Sequence, residues 1–407
     1  MSVYARLGVR TVINARGNAT LAGGTLMDAA VLDAMAEAAG AFVRIADLEE
    51  AASARIAAAT GAEAGYVTSG AAAGLTLGTA AILAGLDPDR IDRLPDTAGG
   101  RDAMVVQASH RNGYDHLVRA AGARLVEVGG PDGASAAELE AAIDDRVAGM
   151  FFQADEEGSG LPLATCVEIA HRHGLAVLVD GSVNLPPRSN LRRFTAEGAD
   201  LVAFSGGKTI RGPQASGILA GRADLIRSVA LQHQDLDVLP ETWSGRELLQ
   251  SGVLTRIPGH GIGRSMKAGK EEIVGLLMAL ERYLARDEAA EIARWLRLAE
   301  EITAALSRIP GVEARTEPVA PGGRPVARTA VRIDPDRYGR TAVEVVRLFE
   351  MRDPMILVAD HHSADGILRL DVENLRDDEV GSLVDAFDET AVRPALGRHA
   401  TPARPTG

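Results

Sequence analysis

Two segments of the chain end an apolar run on a reactive side chain. In VLVDGS, Val177 to Ser182, the run ends in Asp180, and in LVAFSGGK a second run leads to Lys208. The carboxyl ends of strands in a parallel α/β sheet share one edge, so Asp180 and Lys208 would meet in one cleft. An amine able to form a Schiff base and a carboxylate able to keep a pyridine nitrogen protonated are the two groups pyridoxal phosphate requires, because the protonated ring is its electron sink. Each residue also has a plainer reading, Asp180 as a helix cap and Lys208 as a loop lysine.

Other residues bear on that choice. YVTSGAAAGL, Tyr66 to Leu75, reads as a strand, a turn of small residues and a helix start. Free amides at a helix start, with the hydroxyls of Thr68 and Ser69 and the small Gly70 and Ala71, suit a phosphate. The segment is neither GxxxxGK[ST] nor GxGxxG, which disfavours nucleoside triphosphates and dinucleotides. Ser182 and Ser205 offer further hydroxyls. In SHRNGYDH, His110 could lie flat on a pyridine ring, while His116 reads as structural. Arg211 follows the lysine closely, and Arg264, Lys267 and Lys270 make a basic cluster that a neighbouring subunit could present to a phosphate or carboxylate. His361 and His362, beside Asp360, read as a loop feature, since adjacent ring nitrogens point apart and no spaced HxxxH or CxxC supports a metal site.

The elements that would position these groups follow from periodicity. Short apolar runs at 64–67, 104–107, 124–128, 149–153, 176–180, 201–204 and 216–220 alternate with helical stretches that mostly end in glycine. They predict an α/β fold whose mostly parallel seven-stranded sheet is flanked by helices. After Pro258 a glycine-rich stretch leads into a charged helical pattern, 271 to about 307, and a smaller α+β domain with strands at 327–333, 355–358 and 366–371. The expected division is 1–50 packing with the small domain, 51–270 as the large domain, 271–395 as linker helix and small domain, and 396–407 as a disordered tail.

Composition narrows the class. Apolar residues are 46% of the chain, charged residues 24%, and the net charge is −13. Nothing here suggests retention on nucleic acid by phosphate neutralisation, and no apolar run reaches the roughly 18 residues of a membrane span. The start, MSVYARLGVRTVIN, has no apolar signal core, and Cys166 is the one cysteine. The reading is a cytoplasmic protein that binds neither nucleic acid nor membrane.

Taken together, TSGAAAGL, SHRNGYDH, VLVDGS, LPP, AFSGGKTIRGPQASGILAGR and GIGRSMKAGKEEIVGLLMALERYL resemble the fold-type I pyridoxal-phosphate enzymes of the selenocysteine synthase-like group, which includes D-glucosaminate-6-phosphate ammonia-lyase. The resemblance implies Lys208 as the Schiff-base lysine, Asp180 as the ring-nitrogen partner, Ser69, Gly70 and Ala71 as the phosphate cradle, and His110 as the stacking group. It also implies that Arg369, in ILRLD, receives a substrate carboxylate, that Arg16 lies on a strap across the site, and that the protein is a homodimer or larger assembly. VINARGN falls within the first twenty residues, so no tRNA-binding region is expected before it and no transfer to tRNA. The implied reaction is loss of a β-substituent from a small, hydroxylated or phosphorylated amino acid, giving ammonia and a 2-oxo acid. The same residues fit an aminotransferase, a racemase or an aldolase, and a non-catalytic scaffold is the reading from another class.

Overall fold

The computed structural model describes residues 2–392, with backbone alone at 155–157, so the tail expected at 396–407 lies outside the described residues. The chain divides into a larger unit, Asn18–Glu288 with Pro321–Pro325, and a smaller one made of the residues up to Gly17, Ala289–Ala320 and those from Val326 on.

Seven strands form the sheet of the larger unit: β2 (Ala64–Thr68), β3 (Ala103–Gln107), β4 (Arg124–Val128), β5 (Val147–Gln153), β6 (Ala176–Asp180), β7 (Leu201–Ser205) and β8 (Gly217–Gly221). Their order is β2-β8-β7-β6-β5-β3-β4, and β8 alone runs antiparallel to its neighbours. Successive side chains enter different cores. Val177 and Val179 join Phe152, Val202 and Phe204 in one, while Leu178 joins Phe151, Leu201 and Ala203 in another. A sheet covered on both faces is what near-continuous apolar runs require, and this sheet is the predicted one.

The smaller unit pairs β1 (Val12–Ala15) with β11 (Met355–Val358), in parallel. It also builds an antiparallel sheet of β9 (Val312–Glu317), β10 (Arg328–Ile333) and β12 (Ile367–Asp371), in the order β12-β10-β9. Strands β1 and β9 have no counterpart in the sequence reading, because β1 is short and β9 alternates charged residues with few apolar ones.

Two further expectations are corrected. Residues 18–50 pack in the larger unit, where only residues up to Gly17 were needed to supply β1. The long linker helix is two helices, Lys270–Ala285 and Glu288–Leu306, and the first lies in the larger unit. The break has a local cause. One guanidinium nitrogen of Arg188 donates to the carbonyls of Tyr283, Leu284 and Arg286, at 3.3, 2.9 and 2.8 Å, and thereby caps the first helix.

The exposed side of edge strand β2 is closed by the helix Ile45–Thr60. The amide of Gly65 donates to Ser53 Oγ at 3.0 Å and that of Val67 to Glu49 Oε2 at 3.1 Å. A Cβ at residue 65 would lie 2.1 Å from Ile56 Cγ2, so this close approach requires glycine. Edge amides are thus satisfied within the unit rather than left to pair with another strand. The arrangement buries a carboxyl, and burial pushes Glu49 from 4.5 up to about 8, opposed by the Val67 bond. Among the described residues no helix is long and apolar enough to cross a membrane.

A carboxyl that holds its proton more tightly folded than unfolded contributes fully below pH 4.5 and loses that contribution as pH rises towards 8. Wild-type stability should therefore fall relative to Glu49→Gln by up to about 1.4 kcal/mol per pH unit across that window. Denaturant unfolding of both proteins at pH 5, 6.5 and 8 checks this; parallel profiles would place the Glu49 proton elsewhere.

Candidate active site

The sheet register sets the predicted residues along one edge. Thr68 pairs with Gly217 and Gly217 with Ser205, while Ala203 pairs with Asp180 and Asp180 with Gln153. Lys208 leaves β7 in the next turn, and His110 follows β3 directly. Asp180, Lys208, Ser182, Ser205, His110 and residues 68–71 are therefore brought to the same edge, as the parallel arrangement predicts.

Asp180 is 3% exposed, and its Oδ1 accepts the Ser182 amide at 2.9 Å, so the carboxylate is turned by its own loop. Lys208 is held through its backbone. Its carbonyl accepts the Arg211 amide at 2.7 Å and Thr25 Oγ at 3.1 Å. Arg211 closes this turn at φ 62, the one non-glycine residue with positive φ among the described residues, and it sits there as a turn former. Beside it, Thr209 Oγ donates at 2.8 Å to the carbonyl of Leu185, tying the lysine loop to the loop that follows Asp180. Arg324 Nε donates to the same carbonyl at 3.0 Å, and Arg286 Nη1 to the Thr209 carbonyl at 3.2 Å. Thr209 is the next residue after Lys208, whereas Thr25, Arg286 and Arg324 escaped the sequence reading because their spacing from Lys208 carries no signal and tertiary packing alone brings them in.

The start of the helix Ala71–Ala84 has the form expected of an anion cradle. Gly70 stands at the cap with φ 115, and no side chain caps the helix. Beneath it, a Cβ on Gly217 would lie 2.4 Å from the Gly70 carbonyl carbon and 2.6 Å from the Ala71 nitrogen. Backbone amides are left to face a ligand. The two hydroxyls shape the turn: Thr68 Oγ donates to the Gly70 carbonyl and Ser69 Oγ to the Met266 carbonyl, both at 2.8 Å. With an uncapped helix start, a lysine and a buried carboxylate on one edge, the residues fit pyridoxal phosphate.

The basic cluster lies in the larger unit. Arg264 and Lys267 line a cavity of about 390 Å³ with Arg44, His233, Thr242 and Trp243. Arg264 pairs with Asp235 at 3.1 Å. Lys270 turns away, donating to the Ala38 carbonyl and pairing with Glu271.

One other residue differs from expectation. His110 has no accessible surface. Its ring stands edge-on to Phe152 at 4.7 Å, and its nitrogens face the Gln153 amide and the Gln107 side chain, each at 3.3 Å. Stacking on a planar ring requires a free face, which this structure does not prepare. Arg16 and Arg369 lie in the smaller unit. Arg16 is paired with Asp360 at 2.6 Å, an attraction that holds the Asp360 carboxyl below its ordinary range although burial opposes it. Arg369 is paired with Glu317 at 3.1 Å, as is Arg328. His116 Nδ1 donates to the Gly113 carbonyl at 2.8 Å, in the first turn of the helix Asp115–Ala120. His361 and His362 are exposed, and among the described residues no group of three His, Cys, Asp or Glu could hold a metal.

A mostly parallel seven-stranded sheet with one antiparallel strand, a lysine turn following β7 and a smaller α+β unit together define the fold-type I class of pyridoxal-phosphate enzymes. Comparisons with known proteins agree. A family model described as L-seryl-tRNA selenium transferase matches residues 114–238. The chain is 32% identical over 395 residues to a Streptomyces protein named 5'-C-glycyluridine monooxygenase-decarboxylase, covering 95% of this chain and 91% of that one. It is 30% identical over 401 residues to D-glucosaminate-6-phosphate ammonia lyase of Salmonella typhimurium, covering 97% and 99%. A solved D-glucosaminate-6-phosphate ammonia-lyase structure superposes with a TM-score of 0.79 at 29% identity, over 96% of this chain and 98% of that one. The chain belongs to the selenocysteine synthase-like family of pyridoxal-phosphate enzymes that includes D-glucosaminate-6-phosphate ammonia lyase. The expectation of an enzyme is met by the same matches.

Because a Cβ on residue 217 meets backbone rather than a flexible side chain, Gly217→Ala should destabilise the fold by about 1–3 kcal/mol and open the cradle. Thermal unfolding with and without pyridoxal phosphate tests both effects. The expected result is a lower midpoint that the ligand no longer raises; a ligand-induced rise equal to that of wild type would remove Gly217 from the cradle.

Proposed function

We propose that the protein binds pyridoxal phosphate and acts as an ammonia lyase on a small amino acid carrying a hydroxyl or phosphate substituent, working as a homodimer. The observation that carries this reading is the placement of Lys208 and Asp180 on adjacent strand ends beside an uncapped helix start. When bound, the cofactor supplies an electron sink for negative charge developing at the substrate Cα. The amides at residues 70 and 71 bind its phosphate. Asp180, fixed by the Ser182 amide, holds a proton at the ring nitrogen. Lys208 Nζ takes the proton from Cα, and its backbone, pinned by Thr25 and Arg211, keeps the amine within reach. For the substrate carboxylate we propose Arg369, whose guanidinium is oriented by Glu317. The cations Arg44, Arg264 and Lys267 around one cavity support an anionic ligand. Exposed Leu21, Leu26, Leu32 and Phe42 in one segment support burial against a second copy.

The similarity to a relative named monooxygenase-decarboxylase favours a second reading, oxidative loss of the carboxyl group. Stoichiometry separates the two. A screen of D- and L-amino acids, including hydroxylated and phosphorylated ones, should find a substrate that releases ammonia and 2-oxo acid equally over many turnovers with no oxo acid added. Oxygen uptake with carbon dioxide release would favour the second reading, and arrest after one equivalent until pyruvate is added would indicate an aminotransferase.

Borohydride should fix pyridoxal phosphate to the peptide containing Lys208, as mass spectrometry would show; attachment elsewhere removes Lys208 from its role. Asp180→Asn should retain the cofactor while losing turnover by ~100-fold, the scale of one electrostatic stabiliser. Normal turnover in that variant would make Asp180 a turn residue only. Arg369→Ala should mainly raise KM, since a carboxylate clamp binds ground and transition states alike.

A further inference from the structure

His233 closes the helix Ala223–His233 and is 3% exposed. Its Nε2 lies 3.0 Å from the carbonyl of Met266, and its Nδ1 lies 3.0 Å from the hydroxyl of Tyr66. A carbonyl only accepts, so Nε2 carries the hydrogen. In a neutral ring Nδ1 is then an acceptor, and the Tyr66 hydroxyl donates to it. Tyr66, itself 2% exposed, also meets the imidazole edge-on, with ring centres 5.4 Å apart. One tautomer is thereby selected by its two partners. Burial holds the ring's pKa below its ordinary 6.5; the Met266 bond opposes this and the Arg264 charge reinforces it.

The Met266 carbonyl has a second donor. Ser69 Oγ reaches it at 2.8 Å, and Ser69 immediately precedes Gly70 at the helix start. Lys267, the next residue after Met266, lines the cavity with Arg264 and His233 itself. One carbonyl oxygen therefore joins the turn of residues 68–71 to the loop bearing Arg264 and Lys267, and His233 directs that oxygen. Sequence reading gave no reason to single out this histidine, which sits at the end of an ordinary amphipathic helix.

We propose that His233 is a positioning residue for phosphate binding. The Nε2–H of its neutral ring fixes the Met266 carbonyl, and that carbonyl places Ser69 at the cradle and Lys267 beside it. This rests on the reading of residues 68–71 as the phosphate cradle. Tyr66 acts one step further back, because its hydroxyl keeps the hydrogen of the imidazole on Nε2.

Two substitutions separate the donor from the ring's bulk. Glutamine carries an N–H donor the same number of bonds from Cα as Nε2, whereas asparagine reproduces only the reach of Nδ1. Apoproteins of wild type, His233→Gln, His233→Asn and Tyr66→Phe are titrated with pyridoxal phosphate and, separately, with pyridoxal, bound ligand being measured by equilibrium dialysis. Thermal midpoints are recorded alongside. His233→Asn should bind pyridoxal phosphate ~10-fold more weakly, the scale of one hydrogen bond, with pyridoxal binding unchanged. His233→Gln should stay within ~3-fold of wild type, and Tyr66→Phe should fall between the two. Equal losses in the glutamine and asparagine variants, or equal losses for the two ligands, would overturn the proposal. If His233→Asn does not fold, near-normal binding by His233→Gln together with a phosphate-specific loss in Tyr66→Phe supports it, and wild-type affinity in Tyr66→Phe overturns it. A wild-type protein that binds no pyridoxal phosphate sinks the cofactor reading itself, whereas normal wild-type binding with an unaffected asparagine variant sinks the role of His233 alone.

Discussion

The candidate site depends on a space where no side chain fits. Strand β8 enters the sheet against the direction of its neighbours, and its first residue, Gly217, lies directly beneath the peptide joining Gly70 to Ala71. Any Cβ there would force backbone apart. With hydrogen alone, the start of the helix Ala71–Ala84 settles onto the sheet edge and its amides stay uncapped. The same strand pairs with β7 on its other side, so the residue that seats the cradle also lies opposite Ser205, three residues before Lys208 in sequence. Cradle and lysine are thus located by one strand.

Rigidity around Lys208 is built from backbone contacts. A Cβ on Gly207 would lie 2.5 Å from Gln214 Cα and one on Gly206 2.2 Å from Ser216 Oγ, so the turn is pressed against the chain that returns as β8. Thr25 and Arg211 satisfy the lysine carbonyl, and Thr209 bridges to the loop after Asp180. A lysine amine on a flexible stem has side-chain entropy to lose, and a fixed backbone limits the volume it must search. Neighbours of Lys208 thus hold its turn in place.

Polar side chains in the larger unit are likewise committed to backbone partners. Glu49 and Ser53 satisfy the amides of an edge strand, Thr68 and Ser69 satisfy carbonyls at the cradle, and Arg188 ends a helix. Buried polar groups left without partners are costly in a low-dielectric interior, so these pairings are as much conditions of the fold as the apolar cores on the two faces of the sheet.

By itself the sequence determined the seven strands of the large sheet, the edge on which Asp180 and Lys208 meet, and the helix start at Gly70. Those features follow from short-range rules: apolar runs of strand length, glycine at turns, and the shared direction of parallel strands. It did not determine the division of the chain, since residues 18–50 and the helix Lys270–Ala285 join the larger unit through packing rather than local pattern. Nor did it show that the apparent single helix after residue 270 is interrupted, because the cap is Arg188, distant in sequence. The burial of His110, the occupation of Arg369 by Glu317 and the coupling of His233 through Met266 to Ser69 were decided in the same way. Each rests on a contact between residues far apart along the chain, and residue type with spacing records only what neighbours along the chain impose.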